Sequence, residues 1–309
     1  MFENGLNEQG SELDAKDRFF IPLIPAHIRP GVLKGIMPHT NWIGLNLFDL
    51  RRSRFYAAAK KKGIRPAFGI DEDKRIFLTS TGKDEELIPF YDEHNGIDQF
   101  RSDVIDFDID AAMGPDWFVY EDQPPNERRK SIEKAIEFNE RCIDLENVIP
   151  NIHGTTFQEI ETFVKPFKEQ GKTLFVMAGR GRLINLGNRK ESQRSFSSLT
   201  STITRCENIR LIITGCSSPK LQEGMPDVSG FVGLGWLIQA RNRRLILDKT
   251  YTRLSDPLFF CRDSNCCASL SKEELAKPDH EPKRAIHNLR RIVNSLTTRP
   301  KFCQESLVN

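Results

Sequence analysis

Short apolar segments of the strand type alternate along most of this chain with longer amphipathic segments of the helical type. Strand patterns cover residues 43–47, 75–78, 116–120, 147–152, 173–177 and 210–213, and helical patterns cover 53–62, 103–113, 125–142, 156–170 and 191–206. Repetition of strand and helix in this order predicts a parallel sheet with crossover helices. Over about 280 residues it favours an eight-fold barrel above an open doubly wound sheet. We therefore expect an α/β fold, a (β/α)8 barrel of the TIM type.

The length of 309 residues suffices for one such barrel with extensions at both ends. We predict a flexible N-terminal arm over 1–17, the barrel over 18–255, and a zinc-binding segment with a closing helix over 256–309. No Gly-x-Gly-x-x-Gly follows the first strand pattern, which disfavours a dinucleotide-binding protein. The formal net charge is only +2, so any affinity for nucleic acid has to come from local basic patches.

Two features bear on the location of the protein. No apolar run approaches the roughly 18 residues that span a bilayer. Residues 1–16 are polar and acidic, unlike a signal peptide. We therefore expect a cytoplasmic protein with no membrane partner.

Three of the seven cysteines, Cys261, Cys266 and Cys267, fall within seven residues. In a reducing compartment such a cluster indicates metal ligands before it indicates disulfides. Zinc favours four tetrahedral ligands drawn from thiolate and imidazole, and a site ligated entirely by protein is structural. With His287 on a later helical segment, the sequence predicts a Zn²⁺ site. The alternative is a fortuitous group of thiols and a surface histidine.

The same motif resembles that of the tRNA-guanine transglycosylase superfamily, in which a Cys-x-Cys-x-x-Cys knuckle precedes a helix that opens with His-Asn-Leu. Cys261, Asp263 and Cys266 keep the spacing of the knuckle, and 286–289, Ile-His-Asn-Leu, match the helix. An aspartate stands at the middle position, so the remaining ligand is either Asp263 or Cys267. We favour Cys267, because a sulfur-rich site suits zinc better.

Residues 114–122 are similar to the family's strand that leads to an aspartate contacting the guanine base, and Asp122 falls on that aspartate. In barrels of this type the active site lies at the C-terminal ends of the strands. A carboxylate at such a position can accept two hydrogen bonds from a guanine. The alternative is that Asp122 caps the helix that follows. Other strand-end residues are expected to help bind the substrate: Ser80, His153, which replaces the family's glutamine, Gly154, and Gly179 in a glycine-rich loop.

The catalytic aspartates of the family do not align with aspartates in this chain. The nucleophile position falls on Val232, and the position of the other essential aspartate falls on Thr79. Neither side chain can take those roles. Asp227 is the nearest carboxylate to the nucleophile position, and Asp98, with Asp92 as an alternative, is a candidate for proton transfer.

The resemblance implies exchange of guanine in nucleic acid for a 7-deazaguanine through a covalent carboxylate intermediate. The divergence of this sequence from the tRNA enzymes favours DNA over tRNA as the substrate. It is more similar to the members that modify DNA, some of which are carried by phages and would act in the host cytoplasm. Clusters of basic residues near the expected loops favour phosphate contact, and they include Arg194, Arg241 and Arg284. The main alternative is a non-catalytic, zinc-containing partner subunit of such an enzyme that binds nucleic acid, as in heterodimers of this family in which one barrel has lost its catalytic aspartates. A third possibility is a zinc-stabilised nucleic-acid-binding barrel without a base pocket. The family resemblance is compatible with a homodimer or a heterodimer.

Overall fold

The structure is a computed structural model that describes residues 18–93, 95–178, 189–247, 249–256 and 270–297. The strands are β1 Phe19–Ile24, β2 Trp42–Asn46, β3 Arg75–Thr79, β4 Ala111–Met113, β5 Val148–Ile149, β6 Asn151–Ile152, β7 Leu174–Ala178, β8 Arg210–Thr214, β9 Gly230–Gly233, β10 Arg244–Leu247 and β11 Thr250–Arg253. The helices are α1 Pro30–Ile36, α2 Leu47–Arg51, α3 Tyr56–Lys62, α4 Ile64–Phe68, α5 Asp84–Ile88, α6 Gly96–Asp106, α7 Pro125–Glu140, α8 Phe157–Glu169, α9 Arg189–Cys206, α10 Pro219–Glu223, α11 Gly235–Arg241, α12 Lys272–Leu275 and α13 Glu281–Thr297.

Strands β1 to β9 form one parallel sheet in the order β5-β4-β3-β2-β1-β9-β8-β7-β6. The two edge strands, β5 and β6, are neighbours in the chain and are separated by Pro150 alone. Proline has no N–H to donate to a ladder, but the Pro150 carbonyl accepts a hydrogen bond from Val176 at 2.9 Å. Residues 148–152 therefore connect the two edges, and the sheet curves into a nearly closed barrel of the TIM type with helices outside.

Alternation along the strands divides the core into two layers. One face of each strand packs in the barrel interior, where the buried side chains are Ile21, Trp42, Phe77, Ala111, Met113, Ile149, Val176, Ile212 and Val232. The opposite face packs against the helices and forms the larger core, which includes Ile43, Phe100, Phe163 and Leu211. Because both faces of the strands are buried, their sequences are short apolar runs without polar alternation.

Most of the predicted elements are present, and two are wrong. The strand predicted over 116–120 is a loop, and the fourth barrel strand is β4, Ala111–Met113. The helix predicted over 103–113 is α6, Gly96–Asp106, so that pattern spans the end of a helix and the whole of a strand. Gly114 and Pro115 end the strand, because a Gly-Pro pair favours a loop. The fourth strand therefore ends at Met113 and not at Tyr120.

The C-terminal part of the described chain packs on the barrel. Helix α13 contacts β1, α1, α11 and the hairpin formed by β10 and β11. A small core of Leu245, Leu254 and Leu275 joins that hairpin to α12. The predicted arm over 1–17 and the cysteine cluster lie outside the described residues.

Candidate functional site

A cluster of buried polar side chains occupies the end of the barrel where β3, β4 and β6 terminate. Asp116 follows β4, His153 follows β6, and Asn151 lies within β6. All three are buried. In barrels of this type the C-terminal ends of the strands are the usual place for an active site.

Asp116 is the acidic residue of this cluster. Its Oδ1 accepts a hydrogen bond from the Asn151 amide at 3.1 Å and lies 3.9 Å from His153 Nε2. Among the described residues no lysine or arginine forms an ion pair with Asp116, unlike the other two buried acids, which pair with Arg51 and Arg241. A buried carboxyl without a basic partner is costly to ionise, and such groups concentrate at functional sites.

Burial raises the pKa of the Asp116 carboxyl to about 7. Hydrogen bonds from the Asn151 amide and from the backbone N–H groups of Gly82 and Trp117 act in the opposite direction, and the nearby Asp84 raises the pKa further. The group therefore titrates near neutrality, where it can exist as acid or as base. Its side chain keeps 13 % exposure.

Helix α7 fixes the two segments that carry this cluster. Asn139 accepts a hydrogen bond from the backbone N–H of Asn151 at 2.9 Å and donates one to the Pro115 carbonyl at 3.1 Å. A Cβ on Gly114 would lie only 2.2 Å from the Asn139 side-chain oxygen, so glycine is required there by the close approach of the helix. The positions of Asp116 and Asn151 are thus set by one buried side chain.

Thr79 and Val232, which stand where the family has its aspartates, are both buried in the barrel. The Thr79 hydroxyl accepts a hydrogen bond from Asn46 at 3.2 Å and lies 3.3 Å from the Leu45 carbonyl oxygen, to which it donates. Val232 lies in β9 among the apolar interior side chains. These two positions carry no ionisable group.

Three of the predicted substrate-binding residues are described at this end of the barrel, while Gly179 lies outside the described residues. His153 belongs to the Asp116 cluster and packs beside Phe163, with 5.6 Å between ring centroids. Gly154 has a φ of 141°, which favours glycine. Ser80 is fully buried and donates its hydroxyl to the Gly114 carbonyl, so it links β3 to the turn after β4.

The structure places Asp122 away from the position that the sequence predicted. It is exposed, in a turn six residues beyond Asp116 and shortly before α7. The prediction rested on a strand over 116–120, whereas the strand in the structure ends at Met113, and the role of Asp122 in base binding stays a prediction. Asp116 is the carboxylate at the strand end, and the Gly-Pro pair before it is the sequence signal that could have identified it.

Asp227 lies at the opposite end of the barrel from the cluster. It is in the segment that enters β9 at Gly230, and the parallel strands all begin at that end. Its carboxylate pairs with Arg205, near the end of α9, at 3.0 Å. The prediction that Asp227 lies near the strand end is therefore wrong.

Asp98, the other predicted catalytic residue, lies in the outer helical layer. It is in the first turn of α6, its side chain is 57 % exposed, and it is 3.4 Å from Arg141 at the end of α7. The structure does not bring it to the Asp116 cluster. Asp92, its alternative, pairs with Lys134 of α7.

Of the four predicted zinc ligands, Cys261, Cys266 and Cys267 lie outside the described residues, and His287 is fully buried on α13. His287 Nε2 lies 3.0 Å from the Ile246 carbonyl oxygen in β10. Metal-binding histidines commonly donate one ring N–H to a carbonyl and bind the metal through the other nitrogen. Within the described part of the chain, no three candidate ligands come together.

Asn288 completes the attachment of α13 to the hairpin. Its side chain accepts a hydrogen bond from the Ile246 N–H at 2.8 Å and donates to the carbonyls of Trp236 and Arg244, each at 3.1 Å. The His-Asn pair therefore binds the backbone of β10 at Arg244 and Ile246. The described residues that border the cysteine segment, Asp256 and Leu270, adjoin this hairpin and α12.

Several basic residues that the sequence associated with phosphate contact have structural partners. Arg241 pairs with Glu281 at 3.1 Å. Arg284 is buried and donates to the carbonyls of Ala240 and Lys277, with distances of 2.7 and 2.8 Å. Arg194, by contrast, is exposed on α9.

The described residues define an α/β protein with a nearly closed barrel of the TIM type. Comparison with models of known protein families gives no match for this chain, and comparison with curated proteins gives no significant match. None of the helices described is both long enough and apolar enough to cross a membrane.

Proposed function

We propose that this protein is a base-exchange transglycosylase that replaces guanine in nucleic acid, DNA in preference to tRNA, with a 7-deazaguanine. The observation that carries the proposal is the buried carboxyl of Asp116, which stands at the end of β4 beside Asn151 and His153 and has no lysine or arginine partner among the described residues.

A carboxylate in this position suits a guanine. Guanine presents its N1–H and its exocyclic amine side by side, and the acceptor site of Asp116 that Asn151, Gly82 and Trp117 leave open can accept one of these hydrogen bonds. Adenine presents a ring nitrogen lone pair on the same edge, which would face the carboxylate unfavourably. We therefore expect the site to select guanine and 7-deazaguanine over adenine-type bases.

The depth of Asp116 determines how a nucleic acid would reach it. With a side-chain exposure of 13 %, the carboxyl cannot contact a base that remains stacked in a duplex. The target nucleotide has to be flipped out or single-stranded. Exposed basic side chains such as Arg194 on α9 would then contribute phosphate affinity without reading sequence.

The exchange reaction needs a carboxylate that attacks the anomeric carbon as the bond to guanine breaks, and a second group that transfers protons. Thr79 and Val232 cannot supply them, and Asp98 and Asp227 lie elsewhere. Asp116 is the buried acid that the described residues place at this end of the barrel. This distribution favours a second candidate function, a non-catalytic subunit that keeps the base pocket and pairs with a catalytic homologue.

We further propose that Cys261, Cys266, Cys267 and His287 hold one structural Zn²⁺. The burial of His287 and its contact with the Ile246 carbonyl fit a metal ligand whose second ring nitrogen is oriented by the protein. The metal would contribute folding free energy to the C-terminal segment and take no part in the reaction.

Base binding tests the proposal directly. Calorimetric titration of the full chain with 7-deazaguanine should show binding, and 7-deazaadenine should bind at least about tenfold more weakly. Asp116→Asn should weaken binding of 7-deazaguanine by about tenfold to a hundredfold, because a charged acceptor is lost. Asp122→Asn is the matched control, the same change in an exposed turn, and should leave affinity unchanged. Loss of binding in the control with retention in Asp116→Asn would overturn the assignment.

Exchange of labelled guanine separates the two candidate functions. An enzyme should incorporate label into single-stranded DNA or tRNA by itself and leave a covalent adduct on a denaturing gel. A non-catalytic subunit should do neither alone and should raise the activity of a catalytic homologue when the two are mixed.

A further inference from the structure

The side-chain amide of Asn151 lies between the two other polar groups of the cluster. Its Nδ2 is 3.1 Å from Asp116 Oδ1 and 3.0 Å from His153 Nε2. Asn151 is fully buried, and its backbone is held by Asn139. The amide therefore contacts both groups from a fixed position.

The chemistry of an amide determines the protons in this cluster. The amide nitrogen carries two hydrogens and accepts none. One hydrogen donates to the Asp116 carboxylate, so the other can be received only by a lone pair on His153 Nε2. The ring proton of His153 then resides on Nδ1. When Asp116 is ionised, as at the pH of about 8 used in the test below, the opposite amide orientation would set the Asn151 oxygen against a carboxylate oxygen, which places two acceptors in contact.

A second observation bears on why a buried amide stands here. The Asn151 oxygen has no hydrogen-bond partner among the described residues. A buried polar atom without a partner lowers stability, and an apolar residue of similar volume would avoid that loss. The hydrogen bonds from the Asn151 nitrogen to Asp116 and His153 therefore explain an asparagine at this position better than a contribution to folding stability does.

We propose that Asn151 is a positioning residue that fixes His153 as the neutral tautomer with its proton on Nδ1 and keeps Asp116 oriented as a hydrogen-bond acceptor. This inference rests on the proposed function for its consequence, the recognition of a base with paired N–H donors. It extends that function by naming a residue that contacts neither base nor phosphate and yet determines which bases the pocket accepts.

Nitrogen NMR of the imidazole rings tests the tautomer without any ligand. The full chain is labelled with ¹⁵N histidine, and His153→Gln identifies the signals of His153 among the six histidines. At about pH 8, above the ordinary titration range of imidazole, the wild-type protein should show a protonated Nδ1 and an unprotonated Nε2. A proton on Nε2 would overturn the inference.

Substitution of Asn151 tests the consequence. Asn151→Leu should remove the tautomer preference and weaken binding of 7-deazaguanine about tenfold, the effect expected from the loss of one orienting hydrogen bond. Asn151→Ser keeps a single donor and should recover part of the affinity. Asn147→Leu is the matched control, since the Asn147 amide donates to the Ile109 carbonyl at the other end of β4, at 3.0 Å. It should change stability but neither the tautomer nor the affinity.

The two readouts separate the two proposals. If His153 carries its proton on Nδ1 in the wild type and not in Asn151→Leu while no base binds, the positioning role stands and the proposed function fails. If the wild-type protein binds 7-deazaguanine but carries the His153 ring proton on Nε2, the proposed function stands and the positioning role inferred for Asn151 is wrong. Equal affinity of wild type and Asn151→Leu would also overturn the specificity role.

Discussion

Asn139 on α7 accepts a hydrogen bond from the backbone N–H of Asn151 at 2.9 Å, and the same side chain donates to the Pro115 carbonyl at 3.1 Å. One side chain of the outer layer thereby joins the two barrel segments that present Asp116 and His153. Because the helix reaches the strands through hydrogen bonds and not through apolar contact alone, the geometry of the candidate site depends on the packing of α7.

The first prediction concerns Asn139. Asn139→Leu should lower the free energy of unfolding by about 3 kcal/mol, since it leaves the Asn151 N–H and the Pro115 carbonyl buried without partners. Chemical denaturation measures the change. Glu137→Gln, an exposed position on the same helix, is the control and should stay within about 0.5 kcal/mol. A loss no larger than that of the control would show that the contacts of Asn139 do not support the site.

The second prediction concerns the pH dependence of stability. The pKa of Asp116 in the folded protein, about 7, is raised above its ordinary value of 3.8 by burial. The folded state therefore binds the proton more tightly than the unfolded state between these values. Its stabilising effect is fully present below the unfolded pKa and is lost as pH rises through the folded pKa.

Wild-type protein should thus lose up to about 4 kcal/mol of stability from this group as pH rises from about 4 to about 7. Asp116→Asn should lack this part of the slope, and Asp122→Asn should retain it. Denaturant titrations over the pH range measure both. Parallel slopes for wild type and Asp116→Asn would contradict the assigned pKa.

The third prediction concerns Asp227. Because it pairs with Arg205 at the far end of the barrel, Asp227→Ala should leave base binding and any exchange activity unchanged. Its effect on stability should be at most about 1 kcal/mol, as for other ion pairs near the surface. Arg205→Ala removes the same pair from the other side and should match it. Abolished exchange with an intact fold would restore Asp227 as a catalytic candidate.

The fourth prediction concerns zinc. Purified protein should contain about one equivalent of the metal, and Cys261→Ser and His287→Ala should both lose it. Elemental analysis measures the content, and proteolysis after chelation should cut first near the β10–β11 hairpin, which His287 contacts. His27→Ala, at an exposed position, is the control. A folded protein with less than about a tenth of an equivalent would remove the zinc proposal.

The candidate site was predicted only in part from the sequence. The strand pattern over 147–152 is followed directly by His153 and Gly154, and because this pattern is local, the sequence alone predicts that His153 lies at a strand end. Asp116 was missed because the apolar residues from Trp117 to Tyr120 imitate a buried strand. In the structure they form a loop whose aromatic rings pack on one another and on helices, with Trp117 and Phe118 centroids 4.5 Å apart.

What the sequence alone determined is the alternation of strands and helices, and with it the parallel barrel, because hydrophobic periodicity records which faces of each element are buried. What only the tertiary structure decided is which carboxylates share a site. Asp98, Asp122 and Asp227 are the same residue type as Asp116, and they differ from it in the neighbours that the fold supplies. Asp116 alone of the four is buried, with hydrogen bonds from Asn151 of β6 and from the backbone N–H groups of Gly82 and Trp117, and removal from water, not residue type, is what raises its pKa to about 7.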